Sequence, residues 1–133
     1  MTEKDIQEIN NVINQYCLAI GSQVEKDFKN IFSKNKICYL ISVGTMFEGV
    51  DSIYKDFVID LIQNAYQKIE LIKDEELKIN FIDSEHAVII FKYHTDCLLR
   101  KNGEKFGISG VETQVLIKEE GNWKIVHIHY SKV

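Results

Sequence analysis

Apolar residues recur at three- and four-residue steps over the first part of the chain. Ile6, Ile9, Ile13, Tyr16, Cys17 and Ile20 form one stripe, which predicts an amphipathic helix with Thr2 or Asp5 as its N-cap. Gly21-Ser22 interrupts the stripe, and Val24, Phe28, Ile31 and Phe32 predict a bend into a second helix before the turn Ser33-Lys34-Asn35-Lys36. Ile37 to Val43 is a run of β-formers bounded by that turn and by Gly44, and reads as a strand. After Gly49, Asp51 can cap a third helix whose face is Ile53, Phe57, Leu61 and Ala65, with Val58 and Ile62 beside them; its end is expected near Lys68. The period then changes to two. Leu77, Ile79 and Phe81 alternate with polar neighbours, and after Asp83-Ser84-Glu85 a long strand is expected from His86 to about Leu99. Asn102-Gly103 signals a turn into a strand from Phe106 to Lys118, and Glu119-Glu120-Gly121-Asn122 a turn into a last strand from Trp123 to Ser131. Helices followed by a meander of antiparallel strands predict an α+β fold, with the helices covering one face of a curved sheet.

Strand alternation then assigns faces. Ala87, Ile89, Phe91, Tyr93, Thr95 and Cys97 make the more apolar face of the long strand and should look toward the helices. In the next strand Ser109, Val111, Thr113, Val115 and Ile117 oppose Ile108, Gly110, Glu112, Gln114 and Leu116. The last strand is ambiguous, because Val126, Ile128 and Tyr130 oppose Trp123, Ile125, His127 and His129 and both sets are largely apolar. A helix-free face carrying Val111, Val115, Ile117, Trp123 and Ile125 would leave an apolar patch in water, which predicts a homodimer packed through it.

Composition narrows the class. A chain of 133 residues, 45% apolar and 27% charged, suffices for one compact domain over 1–133 and not for two. Proline is absent and the seven glycines are dispersed, which excludes collagen-like and low-complexity chains. A net charge of −4 with no basic patch argues against nucleic acid as a partner. No apolar run approaches a membrane span and the start Met1-Thr2-Glu3-Lys4-Asp5 is no signal peptide, so a cytoplasmic location without membrane association is expected. Cys17, Cys38 and Cys97 are too scattered for a disulfide framework or a thiolate zinc site, and read as small buried apolar residues.

The segment from Glu112 to Ser131 closely resembles the end of the calcium/calmodulin-dependent protein kinase II association domain, through Glu112-Thr113-Gln114-Val115, the Gly121-Asn122-Trp123 turn and Val126-His127-Ile128-His129-Tyr130-Ser131. Phe47-Glu48-Gly49-Val50-Asp51 resembles that family too, and a looser likeness covers nearly the whole chain. The resemblance implies a nuclear transport factor 2-like cone, as in SnoaL-like cyclases and ketosteroid isomerases, with a pocket between helices and sheet. None of the kinase motifs is present, so the chain resembles a stand-alone association domain. In the family the pocket is lined by three arginines and a histidine. By motif these fall here on Gln114, Tyr130, Tyr93 and Ile53, so every cationic position is replaced. The resemblance therefore implies a neutral pocket, suited to an uncharged small molecule, with Tyr93, Gln114 and Tyr130 turned inward.

Candidate chemistry follows from these placements. Glu112 shares a face with Gln114; buried without a cation its pKa would rise, and it could serve as general acid or base or simply as a hydrogen-bonded structural carboxyl. Tyr16, Tyr39, Tyr93 and Tyr130 can donate to a ligand carbonyl, with Ile53, Phe91 and Ile128 completing the expected lining, although core or rim positions suit the tyrosines equally. His127 and His129 lie about 6 to 7 Å apart on one strand face, but His94 and Asp96 are a strand away at roughly 9 to 10 Å. No metal or other cofactor is therefore expected, and the family resemblance implies that the histidines sit in the dimer interface. Two functions compete: a dimeric pocket protein binding an uncharged small molecule, with isomerase, cyclase or dehydratase chemistry open, or an oligomerisation module, dimeric or larger, with a vestigial pocket.

Overall fold

The structure, a computed structural model, describes residues 2–132; Met1 and Val133, the ends of the expected 1–133 domain, lie outside the described residues. Thr2 caps the first helix, its hydroxyl accepting from the Asp5 amide at 3.1 Å while the Asp5 carboxylate accepts from the Thr2 amide at 3.0 Å. This helix, α1, spans Glu3–Ser22 and stops where Gln23 turns left-handed (φ 61°) and donates its N–H to the Ala19 carbonyl. Gly21 thus lies inside the helix and does not break it. A Cβ at Gly21 would stand 3.1 Å from the Ile69 carbonyl oxygen, so the glycine permits close approach of helix and sheet. Helix α2 is only Glu25–Asn30, and Ile31 and Phe32 are buried just past its end.

The third helix opens as a single α-turn, α3 (Val50–Ser52), and continues as a π-helix over Ile53–Gln63. It ends before the expected Lys68, because Tyr66 already begins a strand whose Ile69 is buried between exposed Lys68 and Glu70. The strands are β1 (Tyr39–Ser42), β2 (Thr45–Glu48), β3 (Tyr66–Lys73), β4 (Lys78–Asp83), β5 (His86–Leu99), β6 (Lys105–Phe106), β7 (Ser109–Glu119) and β8 (Asn122–Lys132). They form one curled sheet in the order β2-β1-β8-β7-β5-β3, with β4 and β6 also paired to β5. The expected strand from Phe106 is thus divided at Gly107-Ile108. The sheet is mixed, since β1 runs parallel to β8 with Leu40 opposite Ile128.

A β-bulge resolves the ambiguity of the last strand. Val115 pairs with His127 but Leu116 pairs with Ile125, which leaves Val126 as an extra residue in β8. The inward set changes parity across it: Trp123 and Ile125 are buried before the bulge, Ile128 after it. Trp123 and Ile125 therefore belong to the core beneath the helices, correcting their expected place on the outer face; Val111, Val115, Ile117, His127 and His129 do face outward. The Trp123 indole and the Lys118 ammonium each donate to Asp5 at 3.0 Å, which ties the start of α1 to the β7–β8 hairpin and holds the Asp5 carboxyl far below the usual carboxylate range.

The β1–β2 turn carries strain. Val43 and Gly44 both have positive φ (45° and 88°), as a two-residue hairpin of this hand requires, yet Val43 is β-branched and more than half exposed. Val43→Asn is expected to raise stability by about 1 kcal/mol in urea melts, since asparagine tolerates the left-handed region that valine does not. No helix among the described residues is long and apolar enough to cross a membrane.

Candidate functional site

Three neighbouring inward rows of the sheet build the site floor. Glu112 stands in register with Phe91 on one side and Tyr130 on the other, and the next row sets Gln114 between Ile89 and Ile128. In the row on the other side of Glu112, Tyr93 faces Gly110, which has no side chain, and the Tyr93 hydroxyl donates to the Ser131 carbonyl at 2.8 Å. A Cβ at Gly110 would fall 1.9 Å from that same oxygen. Gly110→Ala should consequently cost about 1–3 kcal/mol in a thermal or denaturant melt, through displacement of the Ser131 backbone.

Above this floor, α1 and the π-helix close a chamber of about 120 Å³. Its walls are mostly apolar, with Ile20, Phe57, Ile62, Ile69 and Leu71 prominent, and its polar groups are Tyr16, Tyr66, Tyr93, Thr95, Glu112 and Tyr130. No Lys, Arg or His side chain lines it among the described residues. The rings are mutually braced: Tyr93 and Tyr130 meet edge to face at 6.0 Å, and Phe57 packs on Tyr130 at 6.1 Å. The Tyr130 hydroxyl shares a short hydrogen bond with the Ser42 hydroxyl.

Glu112 is 2% exposed, and its Oε2 accepts from Gln114 Nε2 at 2.6 Å. Burial pushes its pKa up to about 8, with the Gln114 hydrogen bond opposing the rise, which favours the neutral carboxyl. Burial also raises Tyr16, Tyr93 and Tyr130, and the nearby Glu112 charge adds to each. Cys17 is pushed up to about 12 by burial and carries no thiolate. The chamber is thus a neutral, donor-rich space with one titratable carboxyl.

Of the residues singled out in the sequence, Tyr16, Tyr93, Glu112 and Tyr130 line the chamber together. Gln114 is buried behind Glu112, and Phe91, Ile128 and Ile53 are core residues outside the lining. Tyr39 lies on the other side of the sheet: Leu40 and Ser42 are the buried residues of β1, and Tyr39 alternates with them, in register with His127. The sequence reading missed the β3 wall, Tyr66, Ile69 and Leu71, although Ile69 and Leu71 already alternate with Lys68 and Glu70. His127 and His129 sit outward on β8, His94 pairs with Asp74, and no group of three or more metal-ligating side chains occurs among the described residues.

The sequence profile of the calcium/calmodulin dependent protein kinase II association domain matches residues 5–133. The chain belongs to that family. No curated protein sequence matches it. Among solved structures, this association-domain chain is similar to a nuclear transport factor 2 (NTF2-like) superfamily protein from Salmonella enterica, with 28% identity, a TM-score of 0.92 and coverage of 99% of this chain and 93% of that one. Hexachlorocyclohexane dehydrochlorinase LinA-type3 from Novosphingobium barchaimii shares the fold at 13% identity and a TM-score of 0.81, covering 95% of this chain and 84% of that one. A provisionally assigned association domain from Xanthomonas campestris does so at 18% identity and 0.76, covering 95% and 86%. The fold is accordingly the NTF2-like cone, and the chamber lies between its helices and curled sheet.

Proposed function

We propose that this association-domain family member is a dimeric pocket protein that binds an uncharged molecule about the size of a single ring. The observation that carries this reading is the chamber itself: about 120 Å³, apolar walls, no cationic side chain in its lining, and a carboxyl held neutral. A volume near this accepts one aromatic ring in an apolar cavity. A carboxylate-bearing ligand would meet a second acid and no cation, which costs the charge-assisted partners that make such binding favourable. Proton-transfer chemistry of isomerase, cyclase or dehydratase type on such a ring would fall to Glu112, with Tyr16 or Tyr130 polarising the substrate, since the Tyr93 hydroxyl donates to the Ser131 carbonyl. The name of the Novosphingobium neighbour records a dehydrochlorination of an uncharged ring compound, and at its low identity that likeness supports the fold alone.

Dimerisation is assigned to the outer sheet face, where Ile90 and Val111 are each 40% exposed beside half-buried Val115, Ile117 and His127. Membership of a family named for association favours the second reading, in which assembly is the function and the chamber is unused. Native mass spectrometry separates the two. A dimer carrying a small molecule that is released on denaturation is expected; a larger ring of subunits with nothing bound would establish the assembly reading and overturn the first.

A further inference from the structure

Apolar surface continues outward from the chamber. A second cavity of about 330 Å³ adjoins it, and Leu61, Tyr66, Ile108 and Tyr130 line both, so the two are contiguous. This outer vestibule is completed by Val43 and Phe47 from the β1–β2 hairpin and by Phe106 from β6. Val43, Leu61 and Phe106 are between 44% and 56% exposed, although all three are large apolar residues on three separate elements. Single exposed apolar residues are ordinary, whereas three converging on one cavity make a patch that water covers poorly. The walls are braced. Tyr130 packs on Phe57 and Tyr93 and shares its hydroxyl with Ser42, and Tyr66 stacks on Phe106 with ring centroids 6.1 Å apart. Arg100 donates to the Gln63 and Tyr66 carbonyls at 2.8 and 2.9 Å, which ties the end of the π-helix to the start of β3. Val43 adds an independent observation. It occupies a left-handed backbone position where valine is strained, and its side chain lines the vestibule. A residue that lowers stability at an exposed turn while supplying apolar wall to a cavity fits a binding role better than a structural one.

We infer that the vestibule is a second subsite, which takes a linear apolar substituent carried by the ring in the chamber, so that the ligand is an alkyl-substituted ring. The inference rests on the reading of the chamber as a small-molecule pocket and extends it outward. Contiguity names the occupant. A group attached to a ring already held in the chamber enters the vestibule with no further loss of translational freedom, so its apolar contacts add directly to affinity. An unbranched chain is the substituent that passes between the four shared side chains, two of which are braced tyrosines. Lys132 is the only charged side chain in the vestibule lining among the described residues, and its stem can lie along such a chain while the ammonium stays in water.

Phenol, 4-ethylphenol, 4-butylphenol and 4-hexylphenol are single-ring probes with lengthening tails, to be titrated by NMR against the intact protein. Affinity is expected to rise by up to about fourfold per methylene, and to level off once the tail outgrows the vestibule. Contacts from the bound tail to the Leu61 and Ile108 methyl groups should appear in the same spectra. Val43→Asn and Phe106→Ser should each lower the ratio of 4-hexylphenol to phenol affinity, by about threefold to tenfold. Val43→Asn is expected to fold more stably than the wild type, so it carries the test if Phe106→Ser fails to fold. Phenol binding with no gain from longer tails would overturn the inference and leave the pocket reading standing, whereas failure of all four probes to bind would overturn both. A gain that neither variant reduces would place the tail elsewhere and overturn the inference. So would a change of subunit number in Val43→Asn by native mass spectrometry, which would assign the exposed apolar collar to a second copy of the chain.

Discussion

Stability to urea is expected to fall as pH rises from 4.5 to 8, by up to about 5 kcal/mol, and Glu112→Gln to abolish the fall. The sign follows from proton binding. Glu112 titrates near 4.5 when unfolded and near 8 when folded, so between these values the native state holds a proton that the unfolded chain has released. Raising the pH then favours unfolding; below 4.5 both states are protonated, and above 8 both are ionised, so the profile flattens at each end. The stated size is an upper bound set by the full displacement of the pKa. Asp5 works in the opposite sense. Its carboxyl, held low by Trp123, Thr2 and Lys118, contributes stability above its unfolded value near 3.8 that is lost progressively as the pH drops toward its folded value. The two groups together place the stability maximum between about pH 4 and 5. Above pH 8 Glu112→Gln should be the more stable protein. A wild-type profile flat from pH 5 to 8 would show that Glu112 ionises in the native state, and the neutral-chamber reading would fall with it.

Truncation at two positions eight residues apart should separate the faces of the terminal hairpin. Ile125→Ala is expected to cost about 2–5 kcal/mol, because Ile125 is fully buried in the core and bridges to the segment after α2 through Phe32. Ile117→Ala, half-buried on the outer face, should cost under about 1 kcal/mol in the monomer and act instead on the dissociation of the proposed dimer. Equilibrium denaturation at several protein concentrations distinguishes these effects. If β8 ran without a bulge, the ranking would invert, since one residue of slip exchanges every side chain between the faces.

Which features were legible beforehand depended on how local their cause is. The inward face of β5 could be read from alternation, which put Tyr93 on the chamber side, whereas β7 offered two opposing sets and the family resemblance turned the one with Glu112 and Gln114 inward. Residues 112–131 carried the family resemblance because they hold a dense run of motif residues, and the profile match over 5–133 extends it to nearly the whole chain. Tyr39 was misplaced because its strand has only four residues, too few for alternation to fix a face, and its orientation follows from pairing with β8. The end of the third helix was set too late because Ala65 continues the helical stripe, whereas pairing of Tyr66 to Lys73 with the second half of β5 takes those residues into the sheet.

Periodicity by itself determined that helices precede a sheet and which residues of the long strand β5 face the helices, and the family resemblance added that none of the family's arginine positions carries a cation here. These are properties of residue type and spacing, and they survive any detail of packing. Only the tertiary structure decided the parity change at Val126, the use of Gly21 as a contact point, and the state of Glu112. Each of those depends on what lies opposite in space: a bulge answers to its partner strand, a missing Cβ to the Ile69 carbonyl, and a carboxyl's proton to the water that folding removes from around it.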